Sequence, residues 1–333
     1  MTPSRIDTHD IIVVGGSAGG LEALLRLLGP MPANFAATMF VTLHIPNDMP
    51  SYLPRILTRA GPLPTRNPSE NETFEKGVIY IAPPDRHLLI NDSHVHLSHG
   101  PRENRHRPAI DPMFRSAARY FGRRVIGIIL SGQLDDGSVG LMAVKMRGGV
   151  TIVQEPHEAT ASQMPRQAIR YAAPDHVLPI ADIASLLERL HRQPVQPRPA
   201  SGSLSESTND MHFESELNDR KRSKPSAFAC PECHGVLWEV EDAQLLRFRC
   251  RVGHAYTAEA LNQELSETAE AALWAALRAV EEKAALLQRL ANGNQSSTAA
   301  SYRDQASGYA KHAETLRNMI RESVNPRGGS APE

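Results

Sequence analysis

A serine, a histidine and an aspartate each follow a β-like run in this 333-residue sequence, and the three types together are the set that serine-type hydrolysis uses. Ile11-Ile12-Val13-Val14 leads into Gly15-Gly16-Ser17-Ala18-Gly19-Gly20. Residues 37–43 end at His44, before a turn at Pro46-Asn47, and residues 125–130 run into Ser131-Gly132-Gln133-Leu134-Asp135-Asp136-Gly137. A serine hydroxyl is a weak nucleophile until a neighbouring base takes its proton, and imidazole is suited to that at neutral pH. A carboxylate beside the ring fixes its tautomer and stabilises the imidazolium that forms. Ser17 is therefore the candidate nucleophile and His44 the base. Asp136 or Asp135 is the orienting acid, with Asp136 preferred because it directly precedes Gly137.

A glycine cluster between a strand and a helix has three chemical meanings. A dinucleotide fingerprint wants glycine at the first, third and sixth positions and an acid roughly 20 residues on. Counting from Gly15, the third position is Ser17, and no acid occurs between Glu22 and Asp48. A phosphate loop needs a lysine, and this turn has none. A nucleophile turn fits, because small neighbours leave the Ser17 hydroxyl unobstructed near a helix N-terminus, where free N–H groups can hold an oxyanion.

The three cysteines supply a second chemistry. Cys230-Pro231-Glu232-Cys233 is followed by Cys250 and His254, the spacing of a zinc ribbon. His234 is the rival fourth ligand, but it adjoins Cys233 and would distort the loop, so His254 is favoured. Four ligands leave no open position, which makes the expected zinc structural, and a segment this short needs such a staple to fold. Residues 236–240 and 245–249 are the expected ribbon hairpin. Arg247, Arg249 and Arg251 form a small basic patch read as a solvated face.

The elements that position these groups alternate in type. Strands are predicted at 77–82, 150–154 and 176–180 besides the three above. Helices are predicted at 21–28, 50–60, 112–121, 139–147, 164–172 and 180–192. This order is that of an α/β fold with a mostly parallel, doubly wound sheet, whose sites form outside the carboxyl ends of the strands. Residues 87–91 and 94–98 read as a β-hairpin added to that sheet. The expected domains are a catalytic domain at 1–192, a flexible linker at 193–226, the zinc-ribbon segment at 227–256 and a helical hairpin at 257–325 with a frayed tail. Leu261, Leu265, Ala269, Leu273, Ala276, Val280, Ala284 and Leu287 give the first hairpin helix its apolar stripe. With 36 basic and 37 acidic side chains, no overall field favours nucleic acid or an anionic membrane. No signal core or membrane-length apolar run is present, so the chain is expected to be cytoplasmic.

Six segments carry a family resemblance. They are Gly15-Gly16-Ser17-Ala18-Gly19-Gly20-Leu21-Glu22-Ala23-Leu24, Leu43-His44-Ile45-Pro46 and Gly77-Val78-Ile79-Tyr80-Ile81-Ala82-Pro83-Pro84. The others are Arg107-Pro108-Ala109-Ile110-Asp111-Pro112-Met113-Phe114-Arg115-Ser116-Ala117, Leu130-Ser131-Gly132-Gln133-Leu134-Asp135-Asp136-Gly137 and Gln163-Met164-Pro165-Arg166-Gln167-Ala168-Ile169. In this order they resemble the catalytic domain of the chemotaxis protein-glutamate methylesterases (CheB) over about residues 10–190. The resemblance implies hydrolysis of γ-glutamyl methyl esters on chemoreceptors with release of methanol, and in some members deamidation of glutamine. It assigns Ser17 as nucleophile, His44 as base and Asp136 as orienting carboxylate, with no cofactor for catalysis. Methylated chemoreceptors are the implied partners, and a receptor methyltransferase or a separate response regulator stands open beside them. Where the family usually has Thr-Gly-Met-Gly, this sequence has Ser131-Gly132-Gln133-Leu134, so the backbone oxyanion donor is carried over to Gln133 and the turn at Leu134 is put in question. Ala18 replaces the usual threonine after the nucleophile. The strand before Ser17 begins about ten residues from the start, so the family's common N-terminal receiver domain, and activation through it, are expected to be missing. The alternative reading is a catalytically weak or inactive adaptor that binds receptors or a methyltransferase.

Overall fold

Successive residues of the first strand feed two different cores, as the twofold period of a strand requires. In the computed structural model, which describes residues 8–45, 51–195, 223–242, 245–293 and 298–324, Ile12 and Val14 join one buried cluster while Ile11 and Val13 join another. A strand buried on both faces is the mark of a parallel sheet covered by helices on each side.

The elements in chain order are β1 (Ile11–Gly16), α1 (Gly20–Leu28), β2 (Thr38–Leu43), α2 (Leu53–Ala60), β3 (Thr65–Arg66), β4 (Glu72–Thr73), β5 (Ile79–Ile81), β6 (His87–Ile90), β7 (His94–Ser98) and α3 (Ile110–Phe121). They continue with β8 (Val125–Ile129), α4 (Ser138–Met146), β9 (Val150–Gln154), α5 (Gln163–Ala172), β10 (His176–Leu178) and α6 (Ile180–Arg192). The main sheet has seven strands in the order β10-β9-β8-β1-β2-β5-β3. Every neighbouring pair is parallel, so the sheet is wholly rather than mostly so. Leu24, Leu27, Leu57, Ile183 and Leu187 of α1, α2 and α6 cover one face. Phe114, Leu141, Val144 and Met164 of α3, α4 and α5 cover the other.

The chain winds outward from β1 in both directions, towards β2 on one side and β8 on the other. The crevice of a doubly wound sheet opens at such a switch point. The expected hairpin forms as β6 and β7, but it does not extend this sheet. It pairs with β4 in a separate three-stranded antiparallel sheet. Alternation in the sequence specifies strands and their faces, not the sheet they join.

Past α6 the chain forms a four-stranded antiparallel sheet of β11 (Lys224–Ala229), β12 (Val236–Asp242), β13 (Leu245–Cys250) and β14 (Ala255–Thr257). Its small core holds Cys230, Leu237, Phe248, Cys250, Tyr256 and Leu261. The strand β11 begins inside the stretch expected to be linker, which corrects that boundary. The turn at Pro46-Asn47, most of the linker and the tail fall outside the described residues. Two long helices, α7 (Ala258–Asn292) and α8 (Thr298–Val324), end the described chain. Contacts divide the chain into Met1–Leu261 and Asn262–Glu333. In the second unit Leu277, Ala313 and Ile320 form the core, with Leu273, Val280 and Leu316 against it, while Leu265 of the expected stripe is 37% exposed. Among the described residues no helix is long and apolar enough to cross a membrane.

Candidate active site

Three adjacent strands, β2, β1 and β8, release His44, Ser17 and the Asp136 loop on one side of the sheet. The path from β1 to α1 needs a left-handed residue, and Gly19 supplies it at φ +74°. A Cβ there would lie 2.5 Å from Thr160 Cβ and 2.7 Å from Ser131 Oγ, so this turn admits no side chain. Gly137, at φ +94°, does the same between Asp136 and α4. The glycines that read as a nucleophile turn are thus fixed by neighbouring loops.

His44 Nδ1 lies 3.2 Å from Ser17 Oγ, and His44 Nε2 lies 2.8 Å from Asp136 Oδ2. With Nε2–H donating to the carboxylate, Nδ1 is left to accept the serine proton. The side chains of His44 and Asp136 are 7% and 1% exposed, so this contact is almost free of solvent screening. Asp136 also accepts the backbone N–H groups of Ile110 (2.7 Å) and Asp111 (3.3 Å) at the start of α3, and the side-chain amide of Asn104 (3.0 Å). A helix N-terminus offers unpaired donors and a positive dipole end to an anion. Burial raises the pKa of Asp136, yet the hydrogen bond and charge of His44, then Ile110 and Asn104, hold it well below the usual carboxylate range. Asp135 does not share this role. It faces Thr257, whose hydroxyl donates to Oδ1 at 2.7 Å, and burial pushes it up to about 7.

The turn after β8 also closes on the serine. The Ser17 N–H donates to Ser131 O at 2.9 Å, and Ser131 Oγ donates to Ala18 O at 2.7 Å. The serine's own amide is therefore engaged. Gly132 N–H and Leu134 N–H are engaged too, with Ala161 O and Gln163 Oε1, whereas Gln133 N–H has no partner among the described residues. Leu134 adopts φ +59°, the left-handed conformation a glycine takes freely, so the turn stays left-handed despite its side chain.

Sequence reasoning missed Asn104, His106 and Thr257. The His106 ring stacks on His44 with centroids 3.5 Å apart and planes 13° from parallel. Burial, followed by the adjoining His44, pushes the His106 pKa down to about 3, so the stacked ring is neutral. Asn104 and His106 sit just before the Arg107-Pro108 motif and Thr257 ends the distant strand β14, and no local pattern marks them.

Cys230, Cys233, Cys250 and His254 converge, with all four ligand atoms within 4.8 Å of one another. Cys233 and Cys250 sulfurs are 3.6 Å apart, and His254 Nδ1 is 3.5 Å from Cys250 Sγ and 3.6 Å from Cys230 Sγ. A tetrahedral zinc with metal–sulfur bonds of about 2.3 Å requires edges of roughly 3.6–3.8 Å, so the donor set and spacing fit a metal. His234 is exposed and outside the group. Arg247, expected on a solvated face, is instead 11% exposed with Glu103 at 3.9 Å.

A doubly wound parallel sheet with a serine, histidine and aspartate in one relay at its switch point defines a hydrolase-type α/β domain. Residues 12–187 match the CheB methylesterase family, and the chain belongs to it. A relative from Leptospira interrogans is 36% identical over 191 residues, 57% of this chain and 99% of its own length. Protein-glutamate methylesterase/protein-glutamine glutaminase 5 of Anaeromyxobacter dehalogenans is 39% identical over 189 residues, 56% of this chain and 52% of that protein. The crystal structure of the Thermotoga maritima CheB methylesterase catalytic domain superposes with a TM-score of 0.52 at 31% identity, covering 54% of this chain and 98% of that one.

Proposed function

We propose that the protein hydrolyses glutamate γ-methyl esters on chemoreceptors, with Ser17 as nucleophile, His44 as general base and Asp136 as the orienting carboxylate. The observation that carries the assignment is the unbroken relay from Ser17 Oγ through both His44 nitrogens to Asp136, at 3.2 and 2.8 Å. Ser17 Oγ attacks the ester carbonyl carbon as His44 Nδ1 takes its proton. The negative charge passes to the carbonyl oxygen, which the N–H of Gln133 stabilises. The intermediate then expels methoxide, which leaves as methanol with the proton from Nδ1. Water, deprotonated by the same nitrogen, cleaves the seryl ester and restores the glutamate side chain. Attack on a glutamine side chain by the same steps would release ammonia.

No cofactor enters this sequence. Cys230, Cys233, Cys250 and His254 would hold a zinc ion that stabilises the fold of β11–β14. The adaptor reading is not favoured, because a binding module has no use for a buried carboxylate held at low pKa against an imidazole that reaches a serine.

Methanol release from methyl-labelled chemoreceptors tests the proposal, comparing the native chain with Ser17→Ala. Release by the native chain that disappears in the variant is the expected result. Equal release from both, or none from a folded native chain across several receptors, would remove it.

A further inference from the structure

The relay does not end inside the family domain. Asn104 is 4% exposed and uses its whole side chain: Nδ2 faces Asp136 Oδ1 and Asp111 Oδ2, each at 3.0 Å, and Oδ1 accepts the backbone N–H of Thr257 at 3.1 Å. Thr257 is fully buried at the end of β14, and its hydroxyl donates to Asp135 Oδ1 at 2.7 Å. One strand residue from the C-terminal segment thus holds a partner of Asp136 with its backbone and the residue preceding Asp136 with its side chain.

The loop that carries Asn104 depends on the same strand. Asn104 and Arg105 take φ values of +47° and +74°, two consecutive left-handed residues that are not glycine. Such a conformation persists where surrounding contacts impose it. Here Asn104 N–H donates to Ala255 O at 2.8 Å and Ala255 N–H donates to Arg102 O at 3.3 Å, so β14 pairs with the loop. Glu103 is fixed between Arg115 at 2.8 Å and Arg247 of β13 at 3.9 Å.

We propose that Asn104 and Thr257 are positioning residues for the hydrolysis, and that β14, which lies outside the matched residues 12–187, completes the active site by holding Asp136 in register with His44. This rests on Asp136 being the orienting carboxylate. Asn104 holds Oδ1 of the carboxylate while His44 holds Oδ2, and Thr257 holds Asn104 with its N–H and, with its hydroxyl, Asp135, the residue before Asp136. Neither touches the substrate.

The test uses the full chain with Asn104→Ala, Thr257→Val, Thr257→Ser and Ser17→Ala. Three quantities are read: kcat and KM for methanol release, the rate at which a fluorophosphonate labels Ser17, and the melting temperature. Misalignment of a catalytic group costs on the order of 100-fold, so Asn104→Ala is expected to lose about 10–100-fold in kcat and in labelling rate, with KM within about twofold. Thr257→Val, which keeps the shape and loses the hydroxyl, is expected to fall about tenfold in both, while Thr257→Ser stays near native. A packing role would give the reverse order, and Val and Ser variants of equal kcat at equal melting temperature overturn the proposal. Should Asn104→Ala not fold, the Thr257 pair decides alone. Ser17→Ala separates the two layers. Release retained in Ser17→Ala removes the esterase reading itself, whereas release lost there but native in Asn104→Ala and Thr257→Val removes only this inference.

Discussion

Asp111 and Asp136 share one donor: an oxygen of each lies 3.0 Å from the same Asn104 Nδ2. Two buried carboxylates this close cannot both carry charge cheaply, and their surroundings divide the roles. Asp136 has His44 and the start of α3, and stays ionised. Asp111 has burial and the Asp136 charge against it, and its pKa rises to about 7.

Substitutions at the two positions should therefore have unequal effects. Asp136→Asn keeps acceptor geometry towards Ile110 but removes the charge that stabilises an imidazolium, and a loss in kcat of about 10³–10⁴-fold is expected. Asp111→Asn keeps an acceptor for the Gly140 N–H, 2.7 Å away in the native chain, but turns an amide NH2 towards Asn104 Nδ2, and its loss should be limited to about tenfold because the Asp136 charge is kept. Equal losses measured in folded variants would mean that charge at Asp136 is not what matters.

Asp135 sets a pH dependence of stability. Its folded pKa of about 7 lies above the ordinary value of 3.8, so between these values the folded chain binds a proton that the unfolded chain has released. Its contribution is complete below about pH 4 and is lost as pH rises to 7, on the order of 4 kcal/mol at most. Asp135→Asn removes this titration. Its melting temperature should exceed the native one at pH 8, with the gap closing towards pH 4.5, and parallel melting curves across that range would count against the assignment.

Much of this was legible in the sequence, for physical reasons that differ by residue. Ile11 to Val14 are apolar without interruption because both faces of β1 are covered, and Ser17, His44 and Asp136 stand out because each follows such a run. Asn104, His106 and Thr257 left no such trace. Asn104 meets Thr257 across 153 positions, and a contact of that span has no periodicity to read. The alternation over residues 87–98 specifies the strands β6 and β7 but not the sheet they join, because β4, which pairs with β7, is only two residues long.

Leu134 offers a test of the oxyanion turn. Its φ of +59° is costly for a leucine and free for glycine. Leu134→Gly should raise stability by about 0.5–1 kcal/mol, after the entropy a glycine adds to the unfolded chain, and leave kcat unchanged or higher. A fall in kcat at intact stability would show that the leucine side chain itself serves the site.

The metal group provides the last test, because Cys250 and His254 flank the turn between β13 and β14. The Cys250 N–H donates to His254 O at 3.0 Å, so an ion held by the four ligands would close the turn that aims Ala255 and Thr257 at the Asn104 loop. Cys233→Ser removes a ligand from the half-buried side of the group without touching that turn. Elemental analysis should find about one zinc per native chain and well under one in the variant. Amide exchange should accelerate at Ala255–Thr257 while the amides of α8, whose core of Leu277, Ala313 and Ile320 is separate, keep their protection. A drop in kcat that follows the zinc content would tie the metal to the hydrolysis through β14. Zinc loss with exchange at β14 and kcat both unchanged would confine the ion to local stability of β11–β13.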